Sequence, residues 1–313
     1  MPLYESTDNA VNQISVSADT LRQVVVEPEQ VYATLAKHLE GWAKDRGAGR
    51  PAPAVAFEGW YGVDWSTIVG RLGADLAKLG VAANWVSIND YFLPSDAIRS
   101  YKAPFVGEDP AFGLVNQSGG IDDILDPTAV EGLKASLEAV GSPAGPAVTV
   151  VYGSGAMVKS LKSLFQAVYY FDKTRQALLW QMWDGKLAPF GSGRPDSSYS
   201  WKEYYFCDYY LLHRAKEQAF SAMDYYLEAI DPSRLKLLSR AAYDEVVSSL
   251  LQYPIKEVKI FQPGPWGAYR YKDLFDVPGL ECNAWNELAG PELGVLIAFG
   301  AESPIRIPFM NLM

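Results

Sequence analysis

Histidine and cysteine are scarce in this sequence, with two of each in 313 residues. Cys207 and Cys282 cannot build a disulfide framework, so a reducing compartment, the cytoplasm, is expected. His38 and His213 lack a Gln or His partner at ligand spacing, which excludes a histidine-based zinc site and leaves each expected as a surface or capping residue. Long apolar runs are missing too. Stretches such as Ala147–Tyr152 and Gly294–Gly300 fall far short of the roughly 18 residues a bilayer span needs. The opening Met-Pro-Leu-Tyr-Glu has neither a basic start nor an apolar stretch, so no secretory signal is expected. Positive charge is in deficit: Lys plus Arg is 27 against 37 Asp plus Glu, a net charge of −10 and a pI near 4.8. Such a field repels phosphate backbones and argues against nucleic acid as a partner. Small phosphorylated ligands stay compatible, because backbone amides and a few local cations hold them regardless of net charge.

What is present is an ordinary globular composition, 49% hydrophobic and 20% charged, at a length of about two average domains or one large α/β domain with an appendage. Aromatics reach 13%, with 19 Tyr and 9 Trp, which suits core and interface positions with polar tips, or stacking on sugars. The chain opens with a polar lead-in and a helix over Pro28–Lys44, broken by the Gly/Pro stretch Arg46–Pro53. Strands are expected at Ala54–Phe57, Ala83–Ile88 and Ala147–Tyr152. Helices over Thr67–Leu79 and Thr128–Val140 separate them, a pattern that implies a parallel sheet covered on both faces. Residues Lys173–Trp183, Tyr205–Ala229 and Pro232–Leu251 read as helical. Short alternating runs from Lys256 onward, such as Val258–Phe261 and Gly294–Phe299, read as antiparallel β structure.

The most informative stretch is Ala54–Thr67. A strand, a turn beginning at Gly59 and a helix entered through Ser66-Thr67 follow the layout of a phosphate loop, G-x-x-x-x-G-K-[ST]. Gly59 and Ser66 match, but Asp64 replaces the second motif glycine and Trp65 the lysine. A carboxylate in the mouth of the loop opposes a polyphosphate, and an indole cannot neutralise a phosphoryl group in transfer. Ser66 as helix cap and Asp64 as a favourable charge at a helix start are the plainer roles.

Val86-Ser-Ile-Asn-Asp-Tyr-Phe-Leu-Pro94 resembles the Asp-x-Phe-Tyr signature of the uridine kinase and phosphoribulokinase group, with Asn89 where that group keeps its catalytic acid and Asp90 one residue on. The strand Val148–Val151 occupies the Walker B position and ends in Tyr152-Gly153 without an acid. Tyr170–Arg175 resembles the start of an arginine-bearing clamp. Over its whole length the chain is similar to the N-terminal, uridine-kinase-like half of bacterial class I mannose-6-phosphate isomerase-type proteins. The matching stretches are Gly62–Trp65, Glu108–Gly113, Val151–Ala156, Phe171–Arg175, Met223–Tyr226, Phe261–Gly267 and Asn283–Leu288. The isomerase zinc ligands have no counterpart here.

The expectation is therefore an α/β chain: a P-loop-kinase-like parallel sheet with helices on both faces, a helical lid region and a short C-terminal antiparallel β extension. Residues 1–50 form an N-terminal helix and linker, 51–255 a degenerate kinase-like domain, and 256–313 a β extension resembling the start of a cupin. Gly59, Gly62, Ser66, Thr67 and Arg175 are the candidate phosphate-binding residues, Asp64 and Asp90 the candidate catalytic acids, and no metal ligand is expected. ATP or a sugar phosphate is the candidate ligand, and a cupin domain or a second copy the candidate partner. Three readings stay open: a binding or regulatory module without catalysis; an active small-molecule kinase using Asp64 or Asp90 as base and Lys102, Arg99 or Arg175 for the phosphates; and a structural assembly partner. The third would use an apolar patch around Trp266, Tyr269 and Trp285, or the apolar stretch Ile305–Met313.

Overall fold

The computed structural model describes residues 10–45, 51–139, 145–257, 292–300 and 304–312. In chain order the elements are β1 (Asn12–Ile14), α1 (Ala18–Leu21), β2 (Val24–Val25), α2 (Pro28–Lys44), β3 (Ala54–Gly59), α3 (Trp65–Lys78), β4 (Ala82–Ser87), α4 (Ser95–Val106), α5 (Pro127–Glu138), β5 (Ala147–Gly153) and β6 (Phe165–Asp172). There follow α6 (Arg175–Trp183), α7 (Trp201–Glu203), α8 (Tyr209–Ala222), β7 (Tyr225–Glu228), β8 (Lys236–Ser239), α9 (Arg240–Leu250), β9 (Val295–Phe299) and β10 (Ile305–Ile307).

Seven strands form one sheet in the order β2-β8-β7-β6-β3-β5-β4. The neighbours from β4 to β7 run parallel, and β8 and β2 complete one edge antiparallel. Counting only the parallel strands in chain order gives 2-3-1-4-5, a mostly parallel sheet with helices on both faces, as the sequence pattern implies. All six residues of β3 are buried, as a central parallel strand requires. Its side chains alternate between two cores. Val55 and Phe57 join Tyr169 and Phe171 beneath α2 and α3, while Ala56 joins Val168 and Tyr170 beneath α8 and α9. Each large side chain fully withdrawn from water contributes about 1.5–3 kcal/mol. The helices meet the sheet along stripes at helical spacing: Val31, Leu35 and Leu39 on α2, and Ile68, Leu72 and Leu76 on α3. Pro28 starts α2, and Asp126 caps α5 by accepting from the Thr128 and Ala129 amides at 2.8 and 3.2 Å.

Two expected helices are shorter than their sequence pattern. The helix through Tyr205 begins as a π-helical stretch, Tyr204–Asp208, and α8 ends at Ala222, after which Tyr225–Glu228 pairs with β6. Asp224 accepts from the Val168 amide at 2.8 Å and fixes that pairing. Pro232–Leu251 likewise divides into β8 and α9, where Ser239 accepts from the Ala242 amide. Short apolar runs fit either period, and tertiary pairing decides between them. In the C-terminal part, β9 pairs antiparallel with β10, as expected, and parallel with β1, which the polar lead-in did not suggest. Val258–Phe261 and the aromatic group Trp266, Tyr269 and Trp285 lie outside the described residues. Ile305 and Ile307 are buried within the chain's own small sheet. Among the described residues no helix is long and apolar enough to cross a membrane.

Candidate functional site

In an open α/β sheet, ligands bind in the crevice at the carboxyl ends of strands whose connections leave in opposite directions. Here those strands are β3 and β6, and the turn 60–64 between β3 and α3 stands over the crevice. That turn is closed on itself. The Trp60 amide donates to the Phe171 carbonyl at 2.9 Å, the Val63 amide to the Trp60 carbonyl at 3.4 Å, and the Trp65 amide to the Val63 carbonyl at 3.0 Å. These donors are therefore not presented to a phosphate.

The side chains fill what space remains. The Trp60 indole is buried beside Tyr209, and the Tyr61 ring is buried and stacked on Phe190 with centroids 4.5 Å apart. Trp65 folds under the turn against Phe171 and Tyr152. A Cβ placed on Gly59 would lie 2.6 Å from the Trp65 ring, so glycine is required there by the indole rather than by a ligand. Gly62 has φ +78°, the left-handed conformation that favours glycine, and its carbonyl accepts from the Lys173 ammonium and the Gln181 amide, each at 2.9 Å.

Asp64 caps α3. Its carboxylate accepts from the Thr67 amide at 3.1 Å, the Ser66 hydroxyl at 2.7 Å and the Thr67 hydroxyl at 2.8 Å. Burial opposes its charge, but these bonds and the Lys173 ammonium outweigh that and hold the carboxyl below the usual aspartate range. The helix N-terminus, where a bound phosphate would sit, thus faces an anion belonging to the chain. Gly59, Gly62, Ser66 and Thr67 come together as the sequence predicts, with Asp64 among them.

The other candidates lie apart from that group. Asp90 is exposed on the short turn after β4, and no contact among the described residues joins it to the loop. Arg175 opens α6, pairs with Glu292 at 3.0 Å and faces the Tyr209 ring. His38 is half-buried: its Nδ1 lies 3.1 Å from the Tyr169 hydroxyl and its ring packs on Tyr225, and burial lowers its pKa. It is therefore an internal packing residue rather than a surface one. His213 lies 3.5 Å from Glu217 on the same helix. No group of potential metal ligands occurs among the described residues.

Three charged residues around the crevice escaped sequence reasoning. Lys173 is almost fully buried, and burial pulls its ammonium down to about 8 while Asp64 and Asp231 oppose the shift. The sequence signal was adjacent, in Phe171–Arg175, but that pattern pointed to the arginine. Glu58, on β3 beside β5, is a buried acid held by backbone amides. Its carboxyl accepts from the amides of Gly155 at 2.8 Å, Met157 at 2.7 Å and Gly59 at 3.2 Å, and burial pushes it up to about 8 against their pull. Asp172, at the end of β6, pairs with the buried Lys216 and also accepts from Tyr226 and Asn311. Glu58, Lys173 and Asp172 are thus each paired with groups of the chain itself, whereas the Trp60 indole N–H, the Tyr61 hydroxyl and the Gln181 amide oxygen are buried without a hydrogen-bond partner among the described residues.

A family model described as "Domain of unknown function (DUF8485)" matches residues 29–252. No curated protein matches the chain. Among solved structures, D-glycerate 3-kinase from Cryptococcus neoformans var. grubii is 12% identical, covering 64% of this chain and 94% of its own, with a TM-score of 0.39. A possible uridine kinase from Bacillus stearothermophilus is 14% identical over 46% and 80% of the two chains, TM-score 0.34. A provisionally assigned fructose transport system kinase from Silicibacter sp. TM1040 is 17% identical over 49% and 80%, TM-score 0.35.

Proposed function

The chain belongs to the DUF8485 family, and from the state of its strand–turn–helix loop we propose that it is a kinase-fold binding or regulatory module that does not transfer phosphoryl groups. One observation carries this reading: the Asp64 carboxylate occupies the donors at the start of α3 that a phosphate would use. Phosphoryl transfer relies almost wholly on positioning and charge stabilisation, and a carboxylate at that point supplies repulsion instead. The closed turn and the indole under Gly59 point the same way.

The relationship to class I mannose-6-phosphate isomerase-type proteins is part of this proposal. Its support is the resemblance of sequence stretches such as Val151–Ala156, Phe171–Arg175 and Met223–Tyr226. A module of this kind acts by holding a small phosphorylated ligand or a partner such as a cupin domain.

Calorimetric titration of the intact protein with ATP and Mg²⁺ tests the central claim. The expected result is no saturable heat and no ADP release with sugar or nucleoside acceptors. Micromolar ATP binding with turnover, lost on Asp90→Ala, would establish the active-kinase reading instead.

A further inference from the structure

A cleft of about 620 Å³ lies between α4 and the segment 184–200, beside the closed loop rather than within it. This falls in the size range of small-molecule sites. Its floor is a buried polar group. The Lys102 ammonium donates to Asp208 at 2.7 Å, and Tyr199 donates to the same carboxylate oxygen. Asp208 ends the π-helical stretch Tyr204–Asp208, an irregularity frequently found at functional sites. Lys102 makes that one hydrogen bond among the described residues, and its ammonium, 4% exposed, also faces the Phe190 and Tyr199 rings at 5.9 and 5.4 Å.

The mouth of the cleft holds Arg99 and Arg194. Arg99 pairs with the exposed Asp96, a surface contact weak enough to be exchanged, and with Arg194 it also attracts the Asp196 carboxylate. Two acids also line the cleft: Asp196 accepts from Ser198 and lies within the field of Arg194 and Arg99, and Glu203 accepts from Ser200. In a chain of net charge −10, three cations, Arg99, Lys102 and Arg194, line one concave surface with two acids, Asp196 and Glu203.

We propose that this cleft binds a small phosphomonoester carried on a hydroxylated body. Arg99 and Arg194 take the phosphate in charge-assisted, bidentate fashion. Lys102 and Tyr199 face the rest of the molecule. This rests on the reading of the protein as a binding module and names where the ligand sits. The Tyr61–Phe190 stack joins the cleft wall to the closed loop.

Titration calorimetry on the intact chain tests it, with glucose 6-phosphate and glycerol 3-phosphate as probes and glucose and inorganic phosphate as controls. Saturable binding of at least one phosphorylated probe is expected, weakened about tenfold or more in the double variant R99A/R194A, whose two side chains are exposed and whose fold is checked by circular dichroism. Lys102→Met should weaken it further. No saturable binding of either probe, an unchanged affinity in R99A/R194A, or equal affinity for inorganic phosphate would each overturn the proposal. An ATP arm separates the two readings: ATP binding that R99A/R194A leaves intact would refute the closed-loop reading without touching the cleft.

Discussion

Replacing Lys216 by methionine removes one half of an ion pair whose side chains are 5% and 0% exposed. Truncating one partner of a buried pair typically costs about 3–5 kcal/mol, because the remaining charge stays withdrawn from water. Asp172 would retain the Tyr226 hydroxyl at 3.1 Å, the Asn311 amide at 2.8 Å and the Lys173 backbone amide at 3.0 Å. Those three donors place the loss near the lower end, about 3 kcal/mol. Methionine fills the space of the lysine stem among Trp60, Tyr170 and Phe220, so a cavity adds little. Urea denaturation followed by circular dichroism measures the change. Adding Asp172→Asn should recover part of it, giving a coupling energy on the order of 1–3 kcal/mol in the double-mutant cycle. If Lys216→Met alone unfolds within about 1 kcal/mol of the parent, the pair is not the electrostatic anchor described and the reasoning fails.

Lys173 titrates near 8 in the folded protein against 10.5 in an unfolded chain. Above pH 8 the unfolded state therefore binds the extra proton, and stability rises with pH at up to about 1.4 kcal/mol per unit. Urea midpoints of parent and Lys173→Met compared between pH 8 and 9.5, before unfolded tyrosines ionise, should diverge by about 1–2 kcal/mol, and parallel curves would contradict the buried placement. Gly62→Ala should destabilise by about 1–3 kcal/mol, since a side chain at φ +78° is strained and its Cβ would collide with the Gln181 amide oxygen; an unchanged melting temperature would show that the turn relaxes freely. Asp64→Ala should cost about 1 kcal/mol through loss of the cap, and Asp64→Asn, which keeps an acceptor oxygen, less than half of that by the same thermal assay.

The centre of the fold was legible because its signals are local. The run Ala54–Phe57, the turn at Gly59 and the stripe Ile68, Leu72, Leu76 fix β3, the loop and α3 from spacing alone. The strands β7 and β8 were not, since Tyr225–Glu228 and Lys236–Ser239 are four-residue runs that only their neighbours in the sheet make extended. The loss of the lysine at position 65 was visible in the sequence. Its consequence, an indole packed beneath Gly59 and a carboxylate turned back onto the helix start, required the backbone. Glu58, Lys173 and the Lys102–Asp208 pair escaped notice because burial and partners 106 residues apart leave no mark on sequence spacing.

The small three-stranded sheet brings together residues far apart along the chain. Asn12 in β1 reaches the Leu296 carbonyl across 284 residues, and Asn311 reaches Asp172 across 139. Neither contact can form during synthesis until residues 296 and 311 have left the ribosome. The parallel core, with shorter-range closures, is free to condense first, and the long-range β1–β9 pairing then follows as a late and separately vulnerable step. Holding β9 and β10 away from β1 should accordingly slow maturation without preventing collapse of the centre.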